Sequence, residues 1–214
     1  MTQGQAAADT VDFYFDLASP YAYFAHGAIT ALARRHGLQL RRRPVLLWVL
    51  LKELGMPTPL EHAAKRSYLE QDMRRSAACL GLPFQLPQRF PASHAAARLY
   101  YSLQAQLQQQ WPALDAGFVE AVFRACFVDG RDIADSATLV EVAASVGVAV
   151  NQAGPALEAE TGRLALRQAN AEAVQRGVWG SPFWFWGGES FFGADRLPQF
   201  ELRLKQALSG GQIR

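Results

Sequence analysis

The stretch Val11-Asp12-Phe13-Tyr14-Phe15-Asp16-Leu17-Ala18-Ser19-Pro20-Tyr21-Ala22-Tyr23 decides the fold. Its opening half is aromatic and β-branched, which predicts a strand that ends near Asp16. Pro20 then begins an apolar pattern with helical spacing, so a helix is predicted after a short polar turn. Ser19 therefore lies at a helix N-terminus, where unpaired N–H groups and the helix dipole stabilise an anion. The alternative is that Ser19 is an ordinary N-cap.

The segments on either side of this turn predict an α/β unit. The helical pattern ends at Gly37, and residues 38–45 alternate like a second strand. A strand, a helix and a strand of this length predict a parallel pair with a right-handed crossover.

The remaining chain divides into a long helical block and a return to strands. Residues 46–176 are rich in Ala and Leu, with helical periodicities broken by Gly or Pro, and predict an all-helical insertion. Strand-like residues 183–186 and 190–192 flank a Gly187-Gly188-Glu189 turn, which predicts a hairpin before a final helix. We therefore expect an α/β domain built from residues 11–45 and 177–208, with flexible termini at 1–10 and 209–214.

The composition excludes several classes of function. The 214 residues include 21 Lys and Arg against 19 Asp and Glu, a net charge of +2, which argues against nucleic acid or an anionic membrane as a partner. No signal peptide is recognisable and the apolar run Val45 to Leu51 is too short to span a bilayer, so a cytoplasmic protein is predicted. Cys79 and Cys126 lie in apolar helical patterns and are interpreted as buried, and neither they nor the scattered histidines predict a metal site.

The Asp16-x-x-Ser19-Pro20-Tyr21 turn resembles the opening of the 2-hydroxychromene-2-carboxylate isomerases and kappa-class glutathione transferases. These proteins form a branch of the DsbA-like thioredoxin-fold superfamily, so the resemblance implies a thioredoxin-like fold with a large all-helical insertion. Redox members carry Cys-Pro-x-Cys where this chain has Ser19-Pro20-Tyr21-Ala22. Because dithiol exchange needs two thiols, disulfide oxidoreductase chemistry is excluded at this turn. The resemblance instead implies that glutathione is the cofactor and that Ser19 donates a hydrogen bond to its thiolate.

Other cofactor-binding residues are implied by the same resemblance. Pro182 is expected to be cis, so that the backbone of Ser181 pairs with glutathione like an added strand; a trans proline at a strand edge is the alternative. Ala194 and Asp195, at the start of the last helix, are expected to hold the γ-glutamyl end, although Asp195 could instead be an N-cap. The resemblance places Lys65, in the pattern Lys-x-x-Tyr-Leu-x-x-Asp, near the tripeptide, whereas the residues alone favour a solvated charged helix face.

The resemblance also implies an activity and a second ligand. It implies a glutathione-dependent cis-trans isomerase that acts on 2-hydroxychromene-2-carboxylate-like aromatic catabolites through a transient thiolate adduct, in a homodimer. Tyr21 and Trp179 are expected to line the apolar pocket for the small aromatic carboxylate. Arg196 either pairs with the anionic substrate or lies in solvent.

Two departures from the family pattern keep other functions open. Met56 and Ser93 stand where the family commonly has Asn, which puts the exact isomerase substrate in doubt. A kappa-class-like transferase or peroxidase would use the same thiolate but consume glutathione. A non-catalytic thioredoxin-fold binding protein would keep the fold without turnover.

Overall fold

The structure, a computed structural model, describes residues 9–208. The predicted flexible segments therefore lie outside the described residues, except for Asp9 and Thr10, and Thr10 already belongs to the first strand. The elements in chain order are β1 (Thr10–Phe15), α1 (Pro20–Arg35), β2 (Gln39–Pro44), α2 (Leu47–Glu53), α3 (Ala63–Leu80), α4 (His94–Leu107), α5 (Trp111–Phe127), α6 (Ser136–Ser145), α7 (Val150–Glu158), α8 (Glu160–Gln175), β3 (Phe183–Trp186), β4 (Glu189–Phe192), a 3₁₀ turn (Ala194–Arg196) and α9 (Leu197–Leu208).

The four strands form one mixed sheet in the order β2-β1-β3-β4. β1 pairs in parallel with β2, from Thr10 opposite Gln39 to Phe15 opposite Pro44, which confirms the predicted strand-helix-strand unit. β3 runs antiparallel to both β1 and β4. The aromatic strands β1 and β3 are therefore central, and the Ser19 turn leaves the sheet from its middle.

The described chain between β2 and β3 forms helices α2 to α8 and their connecting loops, without a strand, which confirms an α/β fold with a helical insertion. One large apolar core joins side chains of β1, α1 and β3 to those of α4, α5 and α6. The insertion therefore packs directly on the sheet domain. No helix in residues 9–208 is long and apolar enough to cross a membrane.

A buried polar cluster fastens β2 to α1 and α5. The Arg42 guanidinium, in β2, donates to His26 Nε2 at 3.2 Å and to Thr30 Oγ1 at 2.9 Å, both in α1. It also pairs with Asp115 of α5 at 3.0 Å. Burial and then the positive charge of Arg42 lower the pKa of His26 to about 3, so the imidazole is neutral near neutral pH.

Three local predictions are corrected by the structure. Cys126 is buried, but Cys79 is exposed, because it lies on the outer face of α3. The hairpin turn consists of Gly187 and Gly188 alone, both with positive φ, which suits the tight two-residue turns that match strand twist, and Glu189 already belongs to β4. The last helix is preceded by a separate 3₁₀ turn.

Candidate active site

Ser19 occupies the N-cap position of α1, immediately after the turn that follows β1. Its backbone is extended, and its Oγ accepts a hydrogen bond from the N–H of Ala22 at 3.3 Å. The same hydroxyl donates to the backbone carbonyl oxygen of Ser181 at 3.2 Å. Ser19 is therefore both the predicted helix cap and a contact between the two halves of the sheet domain.

The Ser181-Pro182 peptide bond is cis, as expected from the resemblance. Ser181 Oγ accepts a hydrogen bond from the N–H of Asp16 at 2.9 Å, which holds this edge against the Ser19 turn. The N–H of Ser181 has no partner within the described part of the chain. A backbone donor is thus left for an extended ligand that lies along this edge.

One cavity of about 370 Å³ brings most of the predicted site residues together. Ser19, Tyr21, Lys65, Trp179 and Ser181 all line it, although they come from distant parts of the sequence. Most of the other lining side chains are apolar: Leu47, Trp48, Leu51, Met56, Pro57, Pro59, Leu60, Leu69, Met73, Phe90 and Phe192. Apart from the Tyr21 phenol, only Asp16 and Lys65 among the lining residues carry ionisable side chains, so the cavity suits an apolar ligand with few charges.

The mouth of the cavity exposes several aromatic rings. Trp179 and Phe192 pack with ring centroids 4.3 Å apart, and Trp48 is 42% exposed. Lys65 is exposed at the same rim, so the lysine lies on a solvated helix face and also borders the cavity. Exposed aromatic surface around a concave site is typical of ligand binding rather than of a passive exterior.

Pro182, Ala194, Asp195 and Arg196 do not line this cavity. They lie beside it, because the N–H of Gly193 donates to the carbonyl oxygen of Pro182 at 3.0 Å. A Cβ placed on Gly193 would lie 2.5 Å from Asp195 Oδ1, so the Asp195 carboxylate folds back toward this junction.

The alternative interpretation of Asp195 as an N-cap is wrong. The cap position of the 3₁₀ turn is Gly193, and no side chain caps it. Asp195 is 70% exposed and pairs with the adjacent Arg196 at 3.0 Å. Because surface pairs of this kind contribute about 0 to 1 kcal/mol, a ligand ammonium could replace Arg196 at small cost.

Tyr21 lines the cavity with its ring while its hydroxyl is engaged elsewhere. The hydroxyl donates to Asp72 Oδ2 of α3 at 2.7 Å, and Arg75 pairs with the other oxygen of Asp72 at 2.9 Å. Burial and then the Asp72 carboxylate raise the pKa of Tyr21. Tyr21 is thus a bridge that holds the α3 wall of the cavity, and its hydroxyl stays protonated at neutral pH.

The structure adds a buried carboxylate to the cavity, which sequence reasoning missed. Asp16 is only 3% exposed, and its carboxylate accepts hydrogen bonds from the N–H groups of Ala18 and Leu47, both at 2.8 Å. Ser93 also hydrogen-bonds to it. Burial raises the pKa of Asp16, while these three hydrogen bonds act in the opposite direction. In the sequence, an Asp after a strand is typical of any turn, so only its position directly before Ser19 could have singled it out.

The arrangement favours stabilisation of an anionic ligand atom over activation of a protein nucleophile. Within residues 9–208, the Ser19 hydroxyl forms no hydrogen bond with an imidazole or carboxylate that could remove its proton. No group of His, Cys, Asp and Glu in residues 9–208 has the geometry to hold a metal ion. The N-terminus of α1 and the Ser19 hydroxyl are the features aimed at chemistry on a bound anion.

Comparisons with known proteins agree with this fold. The DSBA-like thioredoxin domain family matches residues 10–205. The chain is 32% identical over 195 residues to the 2-hydroxychromene-2-carboxylate isomerase of Sphingobium xenophagum, covering 90% of this chain and 96% of that protein. It is 24% identical to glutathione S-transferase kappa 2 of Caenorhabditis elegans, with 94% and 93% covered.

Comparison with a solved structure also relates the chain to the 2-hydroxychromene-2-carboxylate isomerases. The structure of a 2-hydroxychromene-2-carboxylate isomerase superposes with a TM-score of 0.81 at 27% identity, over 95% of this chain and all of that one. The chain therefore belongs to the DsbA-like thioredoxin-domain proteins, in the branch formed by the 2-hydroxychromene-2-carboxylate isomerases and the kappa-class glutathione transferases.

Proposed function

We propose that the protein is a glutathione-dependent isomerase of small aromatic carboxylates related to 2-hydroxychromene-2-carboxylate. The observation that carries the proposal is the meeting of Ser19, at the N-terminus of α1, with the cis Ser181-Pro182 edge at the wall of an apolar cavity. The relatives with isomerase names support the type of reaction.

The residues present fit glutathione. The unpaired N–H of Ser181 can pair with the extended tripeptide, whose thiol would then lie next to Ser19. The exposed Asp195 carboxylate, beside Pro182, can hold the α-ammonium group of the γ-glutamyl end, and the backbone at Ala194 lies at the same junction. Lys65 at the rim can hold a carboxylate of the tripeptide or of the substrate.

The protein side chains would prepare the reacting sulfur and shield it from water. Glutathione supplies, when bound, a thiolate that adds reversibly to a conjugated carbon, allows rotation about the neighbouring bond and leaves unchanged. A free thiol with a pKa of about 8.5 is only a few per cent ionised at neutral pH. The Ser19 hydroxyl and the N-terminus of α1 both favour the anionic sulfur, so they would raise the ionised fraction. Ser19 itself forms no covalent bond in this scheme.

The apolar walls would bind the flat ring of the substrate. Trp48, Trp179 and Phe192 at the mouth offer aromatic surface, while the ring of Tyr21 lies further along the wall. Arg196, paired with Asp195 on the surface, is released for a substrate carboxylate if glutathione takes Asp195. Met56, at the position where the family resemblance implies Asn, lines the cavity and makes this wall more apolar, so we expect a preference for less polar substrates.

Calorimetric titration with reduced glutathione, followed by a turnover assay, tests the proposal. We expect saturable binding that is weakened about tenfold by Asp195→Ala, in line with the loss of one charge-assisted hydrogen bond. With 2-hydroxychromene-2-carboxylate as the test compound, we expect isomerisation that requires glutathione and leaves its concentration constant.

Two experimental results would contradict the proposal, and each would indicate a different function. Steady loss of glutathione during turnover would indicate a kappa-class-like transferase, the function in the names of other relatives, or a peroxidase. Absence of glutathione binding at millimolar concentration, even with an aromatic carboxylate present, would leave a thioredoxin-fold binding protein. The cytoplasmic location and the homodimer stay predictions.

A further inference from the structure

The Asp16 carboxylate is a single acceptor shared by three segments around the cavity. Oδ1 accepts from the N–H of Ala18, within the Ser19 turn, and Oδ2 accepts from the N–H of Leu47, the first residue of α2. Ser93, immediately before α4, hydrogen-bonds to the same carboxylate. Asp16 therefore connects the turn that carries Ser19 to the helix that carries another wall of the cavity.

The N-terminus of helix α2 receives this contact in place of a side-chain cap of its own. Leu46 occupies its cap position and makes no capping hydrogen bond. The first N–H groups of a helix need partners from outside, and Asp16 supplies the one for Leu47. Leu47, Trp48 and Leu51 of this helix line the cavity. The Asp16 contact therefore joins the start of this wall directly to the Ser19 turn, while the neighbouring N–H of Leu46 is held by Asn170 Oδ1 at 3.0 Å.

A role in proton transfer fits these contacts poorly. Both oxygens of the carboxylate already accept backbone N–H groups at 2.8 Å, and Ser93 adds a third hydrogen bond. A carboxylate with three donors is held in place, and most of its roughly four lone-pair sites are taken up by the protein.

We propose that Asp16 is a positioning residue: by fixing α2 to the Ser19 turn, it determines how tightly the cavity binds a flat aromatic carboxylate. The substrate class comes from the proposed function, on which this inference rests, whereas the contact between the turn and α2 does not depend on glutathione.

Replacement of Leu47 by proline removes the key hydrogen bond without touching Asp16. Proline has no N–H, and it is well tolerated at the first position of a helix. Leu46 has φ −100° and ψ 104°, an extended conformation that is compatible with a following proline. Leu47→Ala is the matched control, because it also removes the leucine side chain from the cavity but keeps the N–H.

The readouts are the dissociation constants of 2-naphthoate and of reduced glutathione, both measured by calorimetry. We expect Leu47→Pro to bind 2-naphthoate about tenfold more weakly than Leu47→Ala, because a hydrogen bond to a charged acceptor is lost. We expect both variants to bind glutathione with equal affinity, since the Ser181 edge is unchanged. Equal affinity of the two variants for 2-naphthoate would overturn the proposal.

A double-mutant cycle tests the same contact from the Asp16 side. Asp16→Asn places an amide group against two N–H donors, so one of them loses its acceptor. If Asp16 acts through α2, the effect of Trp48→Ala on 2-naphthoate binding shrinks about threefold or more in the Asp16→Asn background. Phe192→Ala, on β4, provides the comparison and is expected to be additive with Asp16→Asn. If the effects of Trp48→Ala and Asp16→Asn on 2-naphthoate binding were also additive, the result would contradict the proposal.

The outcomes separate this inference from the proposed function. Asp135→Asn, which alters a cap at α6 outside the cavity, is expected to bind both ligands normally. A protein that binds 2-naphthoate but not glutathione would refute the proposed function and leave the Asp16 test intact. A wild-type protein that binds glutathione but not 2-naphthoate would refute the role assigned to Asp16. If Asp16→Asn does not fold, the Leu47 pair decides alone.

Discussion

The hydroxyl of Ser19 donates a hydrogen bond to the carbonyl oxygen of Ser181 across 3.2 Å, although the two residues are 162 positions apart in the chain. One of these residues begins α1, and the other precedes the cis proline. In the proposed reaction, this hydroxyl turns from the Ser181 carbonyl to the thiolate. The contact therefore keeps the hydroxyl oriented at the site until a better acceptor arrives.

Ser19→Ala is expected to reduce glutathione-dependent turnover by roughly 10- to 100-fold, because a hydrogen bond to a charged group contributes about 1.5–3 kcal/mol. The pKa of the thiol of bound glutathione should rise, because the thiolate loses the hydrogen bond from the Ser19 hydroxyl. The ultraviolet absorbance of the thiolate, followed as a function of pH, measures this pKa directly. Ser190→Ala, on an exposed position of β4, is the control. Unchanged turnover in Ser19→Ala would refute the role of this hydroxyl.

Lys65→Met is expected to weaken the binding of anionic ligands by about three- to tenfold and to make the remaining affinity less sensitive to salt. The reason is that Lys65 is the only basic side chain among the residues that line the cavity. Lys52→Met, an equally exposed change on α2 that does not line the cavity, should have no effect. Titrations at two ionic strengths provide the measurement. If Lys65→Met and Lys52→Met had the same affinity for anionic ligands and the same salt dependence, Lys65 would belong only to a solvated helix face.

His26 is expected to make the protein less stable in mild acid. Its pKa is about 3 in the folded state against about 6.5 when unfolded, so between these values the unfolded chain binds a proton that the folded chain does not. The free energy of unfolding should therefore fall as the pH drops from about 6.5, by up to about 1.4 kcal/mol per pH unit from this group.

Urea denaturation of the wild type and of His26→Gln, at about pH 7.5 and pH 4.5, measures this contribution. The glutamine side-chain oxygen can accept from Arg42 but does not titrate in this range. The variant should lose less stability than the wild type over this interval. Identical pH dependence would show that the pKa of His26 is the same in the folded and unfolded states.

Gly162→Ala is expected to destabilise the fold by about 1–3 kcal/mol through overpacking between α4 and α8. A Cβ at Gly162 would overlap Ser102 Oγ and the backbone carbonyl oxygen of Arg98, and the backbone atom cannot move without shifting α4. Gly154→Ala, in α7, has no atom near its Cβ and serves as the control; we expect it to be neutral or slightly stabilising. The thermal unfolding midpoints of the two variants and the wild type provide the measurement.

Strong local signals made much of the fold predictable. The aromatic run before Ser19, the proline after it, and the glycine pair between two aromatic segments each indicate one local structure, and all three are present. The cis state of Pro182 was expected from the family resemblance, because the sequence around an X-Pro bond does not determine its isomer.

The sequence by itself determined the order of the elements, the helical insertion and the replacement of the redox cysteines by Ser19 and Ala22, since these depend on residue type and local spacing. The tertiary structure alone decided which side chains meet. It buried the Asp16 carboxylate between the Ser19 turn and α2, turned the Tyr21 hydroxyl away to Asp72, and left Asp195 beside the cavity. These are contacts between segments remote in sequence, and packing of the whole chain, rather than any local preference, brings such segments together.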